Sequence, residues 1–470
     1  MLNRNLAYGV SAAAILLATS SAAFAQETTG GIRGVITDAS GAPMANATVV
    51  VTHVPSGTST TTVTGADGSY TARNLRVGGP YIVTALTAQG EVSGQVPSVS
   101  IGSPTALNLT ATASASDDAT SVADVVVRGV RGGGLITGPR TRIGAEELET
   151  LPTISRDIKD FVRTSPFASV DSTNSDALIL GGQNSRTNAF LVDGIRQGDD
   201  FGLSPNGYPT VNSPISISVL EAVQVDVAPY DVQYGAFQGG VVNSVTKSGG
   251  NEFRGEAFYE ITNQDLQGDS FSYEDMSSGQ TINRSVTGEF EEKTWGVNLS
   301  GPIIKDRLFF LLNYEKFEAT EPVLSGPTGS GATNEVPGIT QADVDSVRNA
   351  VKSVYGYDPL DWSTSNLTTF DEKYFAKLDW NINDRHRAVA SYQQTQGSRL
   401  SLNGTSTSNT TPSVGLLSQG YDFQSNITAY KAQLFSDWND NFSTELSISR
   451  KESENITSNL GGSDFAAFRV

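Results

Sequence analysis

Apolar and polar residues alternate with period two through much of the stretch 251–470. In "FRGEAFYEI", Phe253, Ala257, Tyr259 and Ile261 share one side while Arg254, Glu256 and Glu260 share the other. Trp295, Val297 and Leu299 alternate with Thr294, Asn298 and Ser300, and Leu308, Phe310, Leu312 and Tyr314 with a face ending in Asn313 and Glu315. Tyr374, Ala376, Leu378, Trp380 and Ile382 alternate with Lys377, Asp379 and Asn381. Residues 387–395, 427–438 and 442–450 continue the pattern, the last with Phe442, Thr444, Leu446 and Ile448 opposing Ser443, Glu445 and Ser447. Successive side chains of a strand point to opposite faces, so about seven strands are predicted, each apolar on one face and polar on the other. Three of the connections are long, roughly 30, 55 and 30 residues, and the rest are short turns such as "NDR" and "NDN", the alternation expected of an outer-membrane barrel. Tyr259, Trp295, Tyr314, Trp380 and Trp438 stand near strand ends, where interfacial aromatics belong. Soluble sandwiches and propellers also alternate, but the regular loop asymmetry and the confinement of charge to one face favour strands between lipid and a polar lumen.

Residues 26–112 follow a different rhythm. Short β-branched runs in "GIRGVITDASGAPMANATVVVTHVPSGTSTTTVTGADGSYTARNLRVGGPYIVTAL" are separated by Ser-Gly, Pro-Ser-Gly and Asp-Gly signals at intervals of about 8 to 12 residues, which reads as a β-sandwich. Asp67-Gly68 is read as a tight turn. His53 is expected on the sandwich surface and His386 at a strand end. Before this segment, Arg4, the apolar run Leu6–Leu17 and Ala23-Phe24-Ala25 form a secretory signal peptide, residues 1–25, with cleavage between Ala25 and Gln26. After it no stretch reaches the ~20 apolar residues of a membrane-spanning helix, so any span must be a β-barrel.

The chain lacks cysteine and has two histidines, which leaves no thiolate site or cysteine nucleophile and makes a zinc cluster implausible. Its formal charge of −19 argues against nucleic acid as a partner. No nucleophile–base pair, paired-carboxylate cleft or metal-ligand cluster emerges, so neither catalysis, a metal nor a cofactor is expected.

"ATASASDDATS" has linker composition, and a linker is assigned to residues 113–121. From 122 to 250 brief apolar strands alternate with Gly-rich turns. One short helix is predicted at "SRDIKDFV", where Ile154, Ile158, Phe161 and Val162 share a face and Ser155 or a neighbour caps the start. Asp193-Gly194 after "AFLV" is read as a turn, and "GGQNSR" and "SGGNEFRG" as close-packed turns rather than phosphate loops.

Three resemblances follow. The pieces "GVITDASGAPMANATV", "GADGSYTARNL" and "YIVTA" resemble the carboxypeptidase regulatory-like domain, a carbohydrate-binding-like fold. "GGQNSRTNAFLVDGI" and "VAPYDVQYGAFQGGVVNSVTKSGGNEFRGEAFYE" resemble the plug, and the plug-to-barrel junction, of TonB-dependent receptors of the Oar-like group. That likeness implies a Gram-negative outer-membrane transporter whose plug closes a large barrel. It also implies a segment that pairs with a TonB strand by β-augmentation. Residue by residue the candidate TonB box is Val122, Ala123, Asp124, Val125, Val126 and Val127, although the same run also reads as the plug's first strand with the coupling segment upstream.

The reading is therefore a mainly β chain: an N-terminal β-sandwich, an α+β plug over 122–250, and over 251–470 the first part of a transmembrane antiparallel β-barrel. The strand number is odd, whereas a single-chain barrel normally closes with an even one, so the wall is expected to be incomplete. The function expected is movement of a bulky solute across the outer membrane, with TonB and its inner-membrane energising complex as partner and outer-membrane lipid as surroundings. Carbohydrate and peptide solutes both stay open. The alternative is a passive pore, or a surface adhesin or carbohydrate-binding protein anchored by the barrel.

Overall fold

The computed structural model describes residues 28–111 and 139–462, apart from the short stretches 172–173, 202–203, 205, 230–234, 236, 267–269, 276–278, 286–288, 364–366 and 440–441. The expected Ala25–Gln26 cleavage site and the expected TonB box, Val122–Val127, lie outside the described residues.

The β-branched runs of the first segment pair into two four-stranded sheets. Thr58–Val63, Thr48–His53, Tyr81–Thr87 and Gly90–Val96 form one in that order. The other is built on Gly30–Asp38, which pairs with Ser69–Leu75 on one side and with Pro104–Ala106 and Leu109–Ala111 on the other. Ile32, Ile36, Val49, Val51, Val83 and Val96 are buried between them. Two tyrosines reach this core without stranding their hydroxyls, because Tyr70 donates to Leu107 O and Tyr81 to Arg76 O, both at 2.8 Å. The Asp67-Gly68 turn is as expected: Asp67 Oδ1 accepts from Ser69 N at 3.0 Å, and Gly68 has φ +71° with no room for a Cβ beside Ile36 O.

His53 departs from the surface position expected of it. Its ring is buried, 4.8 Å from the Tyr81 ring and 2.8 Å from Ser56 Oγ, because residues 306–307 and 381–387 of the barrel wall lie over this end of the sheet. Burial, reinforced by the Arg76 guanidinium, pulls its pKa from 6.5 to about 3. Folded His53 is therefore neutral, while the unfolded chain takes up a proton below pH 6.5. Stability is fully present above pH 6.5 and is lost as pH falls toward 3, by about 2 kcal/mol at pH 5. Hydrogen exchange of Thr48–His53 in the full chain at pH 7 and pH 5 should show this loss, and His53→Gln should remove it. An unchanged pH slope in that variant would exclude His53 as its source.

The next segment forms a five-stranded mixed sheet in the order Ile195–Arg196, Ala189–Val192, Gly240–Thr246, Leu220–Val227, Arg140–Ile143. Its middle strand, Gly240–Thr246, is buried at every position. The predicted helix spans Ile158–Val162, and its N-cap is Asp157, whose side chain accepts from Lys159 N. Ile158, Phe161 and Val162 face the core, but Ile154 lies ahead of the helix and is 79% exposed. A second short helix, Ala145–Thr150, was not expected from the sequence.

Among the described residues the wall is one antiparallel sheet of seven strands, each paired with the next: Arg254–Asn263, Glu291–Ile304, Leu308–Glu321, Leu367–Asn383, His386–Ser401, Tyr421–Asn439 and Phe442–Asn459. The sheet is open, with the first and last strands at its edges. Short turns join the strands at the end nearer the sandwich. At the other end the connections 264–290, 322–366 and 402–420 are long, which makes that end extracellular and the sandwich end periplasmic. The connection 322–366 contains the helix Gln341–Tyr355, capped by Thr340 and Asp343 and ended by Gly356 at φ +66°.

The two wall faces decide between a soluble sheet and a membrane wall. Trp295, Leu299, Leu312, Leu378, Trp380 and Ile448 are exposed, whereas Asn313, Glu315, Asp371, Lys373, Lys377 and Asp379 are buried. In water this arrangement loses on both counts: each large apolar side chain left out forfeits about 1.5–3 kcal/mol, and each buried charge has to be paired. With hydrocarbon outside and a polar body inside, the same arrangement is favourable. On the outer face Trp295, Tyr314 and Tyr374 make tilted ring contacts across three neighbouring strands, at 5.1 and 5.0 Å. Trp380 lies on the same strand and face as Tyr374, roughly 20 Å along it at about 3.3 Å per residue, close to the ~25 Å apolar band of such walls.

Candidate functional site: the polar seam and the outer cavity

The five-stranded domain sits against the buried face of the wall. Its main core cluster takes in Leu311 and Phe375 from the wall, but most of the seam is polar. Near the extracellular side, Lys373 Nζ lies 2.8 Å from Glu315 Oε1 and 3.1 Å from Asp371 Oδ1. Ser216 Oγ of the inner domain donates to Glu315 Oε2 at 2.6 Å. Arg156, also of the inner domain, donates to Glu260 Oε1 and Ser218 Oγ at 2.9 Å each, and its guanidinium stacks 3.7 Å over the Phe258 ring.

A second cluster forms deeper in. Asp193 adopts φ +47° and Gly194 φ +78°, as expected for the hairpin turn. The turn also buries a carboxylate: Asp193 accepts from Thr246 N at 2.9 Å and from Thr246 Oγ1 at 2.6 Å. Two wall lysines meet it. Lys377 Nζ donates to Thr246 O at 3.0 Å and lies 3.8 Å from Asp193 Oδ2, and Lys431 Nζ donates to Asp193 O. Between the clusters Gln197 Nε2 donates to Gln393 Oε1 at 3.0 Å, and Gln393 Nε2 to Pro214 O at 2.6 Å.

Above the seam, toward the long connections, lies a cavity of about 720 Å³. Inner-domain residues Arg156, Asp176 and Asn212 form its floor, and Glu260, Glu292 and Arg399 stand on its wall side. Carboxylates outnumber cations along it, with Asp176, Glu260, Glu292, Glu315 and Glu321 against Arg156, Lys373 and Arg399. None of these residues was singled out as a site from the sequence. Glu260 and Glu315 were noted only as polar-face positions, and the clusters join residues hundreds of positions apart, such as Asp193 and Lys431. Among the described residues no group of three or more histidines or carboxylates is placed to hold a metal ion.

Fold and seam together define a plugged outer-membrane barrel protein. Residues 31–114 match the carboxypeptidase regulatory-like domain, 134–242 the TonB-dependent receptor plug domain and 245–459 an outer-membrane beta-barrel domain. The chain thus carries, in order, a carboxypeptidase regulatory-like domain, the plug domain of TonB-dependent receptors and an outer-membrane barrel domain, an arrangement that places it in the Gram-negative outer membrane. It is similar to the TonB-dependent transporter Oar of Myxococcus xanthus, 32% identical over 139 residues, or 29% of this chain and 12% of that protein. It is also similar to the uncharacterized protein YddB of Escherichia coli K12, 30% identical over 128 residues, or 23% of this chain and 16% of that protein. The crystal structure of the outer-membrane transporter YddB from Escherichia coli aligns over 68% of this chain and 40% of that chain, with a TM-score of 0.49 at 15% identity. A ferric enterobactin receptor, PfeA, aligns over 68% and 42%, with a TM-score of 0.44 at 16% identity. The chain thus spans less than half of each of these structures.

Proposed function

We propose that this chain provides the sandwich, plug and adjoining wall of a transporter that moves a bulky solute across the outer membrane, driven by TonB pairing with Val122–Val127. The observation that carries the reading is the polar seam between plug and wall. A seam of ion pairs and hydrogen bonds can be exchanged for contacts with water, each bond being worth only about 0.5–1.5 kcal/mol net, or about 1.5–3 kcal/mol where one partner is charged. An apolar seam of the same extent would cost roughly 25 cal/mol per Å² to part. The plug is thus held in one place yet separable under load. The excess of carboxylates around the outer cavity favours neutral or cationic solutes over polyanions. A short β-prone segment between sandwich and plug suits strand addition by a periplasmic partner.

Deleting residues 122–127 is expected to abolish energised uptake, measured as depletion of a solute panel from the medium, while the amount of protein at the cell surface stays unchanged. Undiminished uptake would instead favour a passive pore, and no uptake in either strain would favour an adhesin.

A further inference from the structure

The sandwich is not suspended below the barrel. It reaches into the periplasmic mouth with the Arg76 side chain, which is 8% exposed. Arg76 Nε donates to Asp379 Oδ2 at 3.1 Å and Nη2 to Asp379 Oδ1 at 2.5 Å, a two-point clasp on a wall carboxylate that is 1% exposed. Nη2 also donates to Asn381 Oδ1 at 2.8 Å, and Nη1 returns to Thr58 Oγ1 of the sandwich at 2.8 Å. The same carboxylate accepts from the plug, through Ser248 Oγ at 3.2 Å, and from the wall's Arg387 Nη1 at 3.4 Å. Sandwich, plug and wall therefore meet on Asp379.

Ser248 follows the central plug strand Gly240–Thr246 by two residues, and the sandwich holds this exit at further points. Asn251 N donates to Pro55 O at 2.7 Å and Asn251 Nδ2 to Ser56 O at 2.9 Å. Val77 and Ile101 of the sandwich pack with Ala222 and Val245 of the plug in a small apolar cluster. On the wall side Asn74 Nδ2 donates to Asp437 Oδ1 at 3.1 Å, and Arg387 Nη2 to Asn74 O at 3.3 Å.

We infer that the sandwich is a periplasmic latch on the plug: docked through Arg76 on Asp379, it covers the plug's exit strand and holds the plug in the barrel. Three features make this more than a resting place for a tethered domain. The clasp is bidentate and water-excluded, the form in which an Arg–carboxylate pair has most strength and specificity. Its carboxylate is shared with the plug, so opening the clasp frees a plug contact as well. The apolar cluster then loses half its cover and exposes Val245, which lies on the strand at the centre of the plug sheet.

The test is hydrogen exchange on the full chain in lipid bilayers, read at plug strands Gly240–Thr246 and Leu220–Val227, with which Arg76 forms no hydrogen bond or ion pair among the described residues. Arg76→Glu is expected to speed exchange there by tenfold or more. A second variant guards against simple misfolding of the sandwich. The chain has no cysteine, so Asn74→Cys with Asp437→Cys can be bridged by a short bifunctional thiol reagent. Bridging is expected to slow exchange in the same plug strands below the wild-type rate. Faster exchange confined to the sandwich and rim in the first variant, or unchanged plug exchange in the bridged second variant, would overturn the latch.

Discussion

Lys373→Met is expected to destabilise the seated plug by about 3–5 kcal/mol, the range for removing one partner of a buried ion pair. The lysine is 5% exposed and lies between Glu315 and Asp371, which are 1% and 0% exposed. Without it two carboxylates face each other out of water, with Arg156 Nε 3.6 Å from Glu315 as the closest remaining cation. Either a carboxylate takes up a proton or water enters the seam, and Ser216 of the plug then loses a charged acceptor. Urea titration of the protein in bilayers, followed by proteolysis of the plug, measures the change. Adding Glu315→Gln and Asp371→Asn to the lysine variant should recover most of the loss, because the penalty is that of uncompensated charge. A loss just as large in the triple variant would mean that Lys373 acts through packing alone.

Leu378→Arg is expected to cost about 2–4 kcal/mol in the bilayer, the penalty for a cation near the middle of a lipid-facing strand surface. Leu378 is 46% exposed on the outer face, between Tyr374 and Trp380. In a water-soluble sheet the same change at so exposed a site would be close to neutral, so its sign and size identify the surrounding solvent. The heat-modifiability and urea midpoint of the variant, with Leu378→Met as control, give the answer. A near-zero change would mean that this face is not in lipid.

The wall was legible in the sequence because its two faces meet different solvents, which imposes a strict period of two. Alternation predicts the fourth strand at 374–382, and it runs over Leu367–Asn383. Its outer third carries Phe370, Asp371 and Glu372, whose chemistry follows the polar cluster and the aqueous end rather than the lipid rule. Gln341–Tyr355 lies within a long connection where period-two alternation predicts no element, yet its helix signals are in the sequence: Thr340 with Asp343 as a capping box, Val344 and Val351 on one face, and Gly356 as a stop. A helix inside a long extracellular connection simply has no place in an alternation-based reading.

The site was far less legible. Lys377 and Asp379 were recognised as the polar face of a strand, but nothing local tells that one reaches Thr246 and the other Arg76. Asp193 looked fully explained by its turn, and the turn is there; its second role depends on lysines that the fold brings from the wall. His53 was misplaced for the same reason, since the sandwich alone would leave it at a sheet end and only the rim buries it. Charge pairing across domains is a property of the assembled shape, whereas alternation and turn chemistry are written within a few residues.

Under the proposed transport function, the plug has to move against the wall for solute to pass. Gln197 of the plug and Gln393 of the wall touch at 3.0 Å and carry no charge, so Gln197→Cys with Gln393→Cys offers a tether point in a cysteine-free chain. With the pair bridged by a bis-methanethiosulfonate reagent, solute uptake by whole cells is expected to fall to the level of the 122–127 deletion and to return when a reductant cleaves the bridge. Uptake that continues at the untethered rate with the bridge closed would mean that solute passes without movement of the plug against the wall.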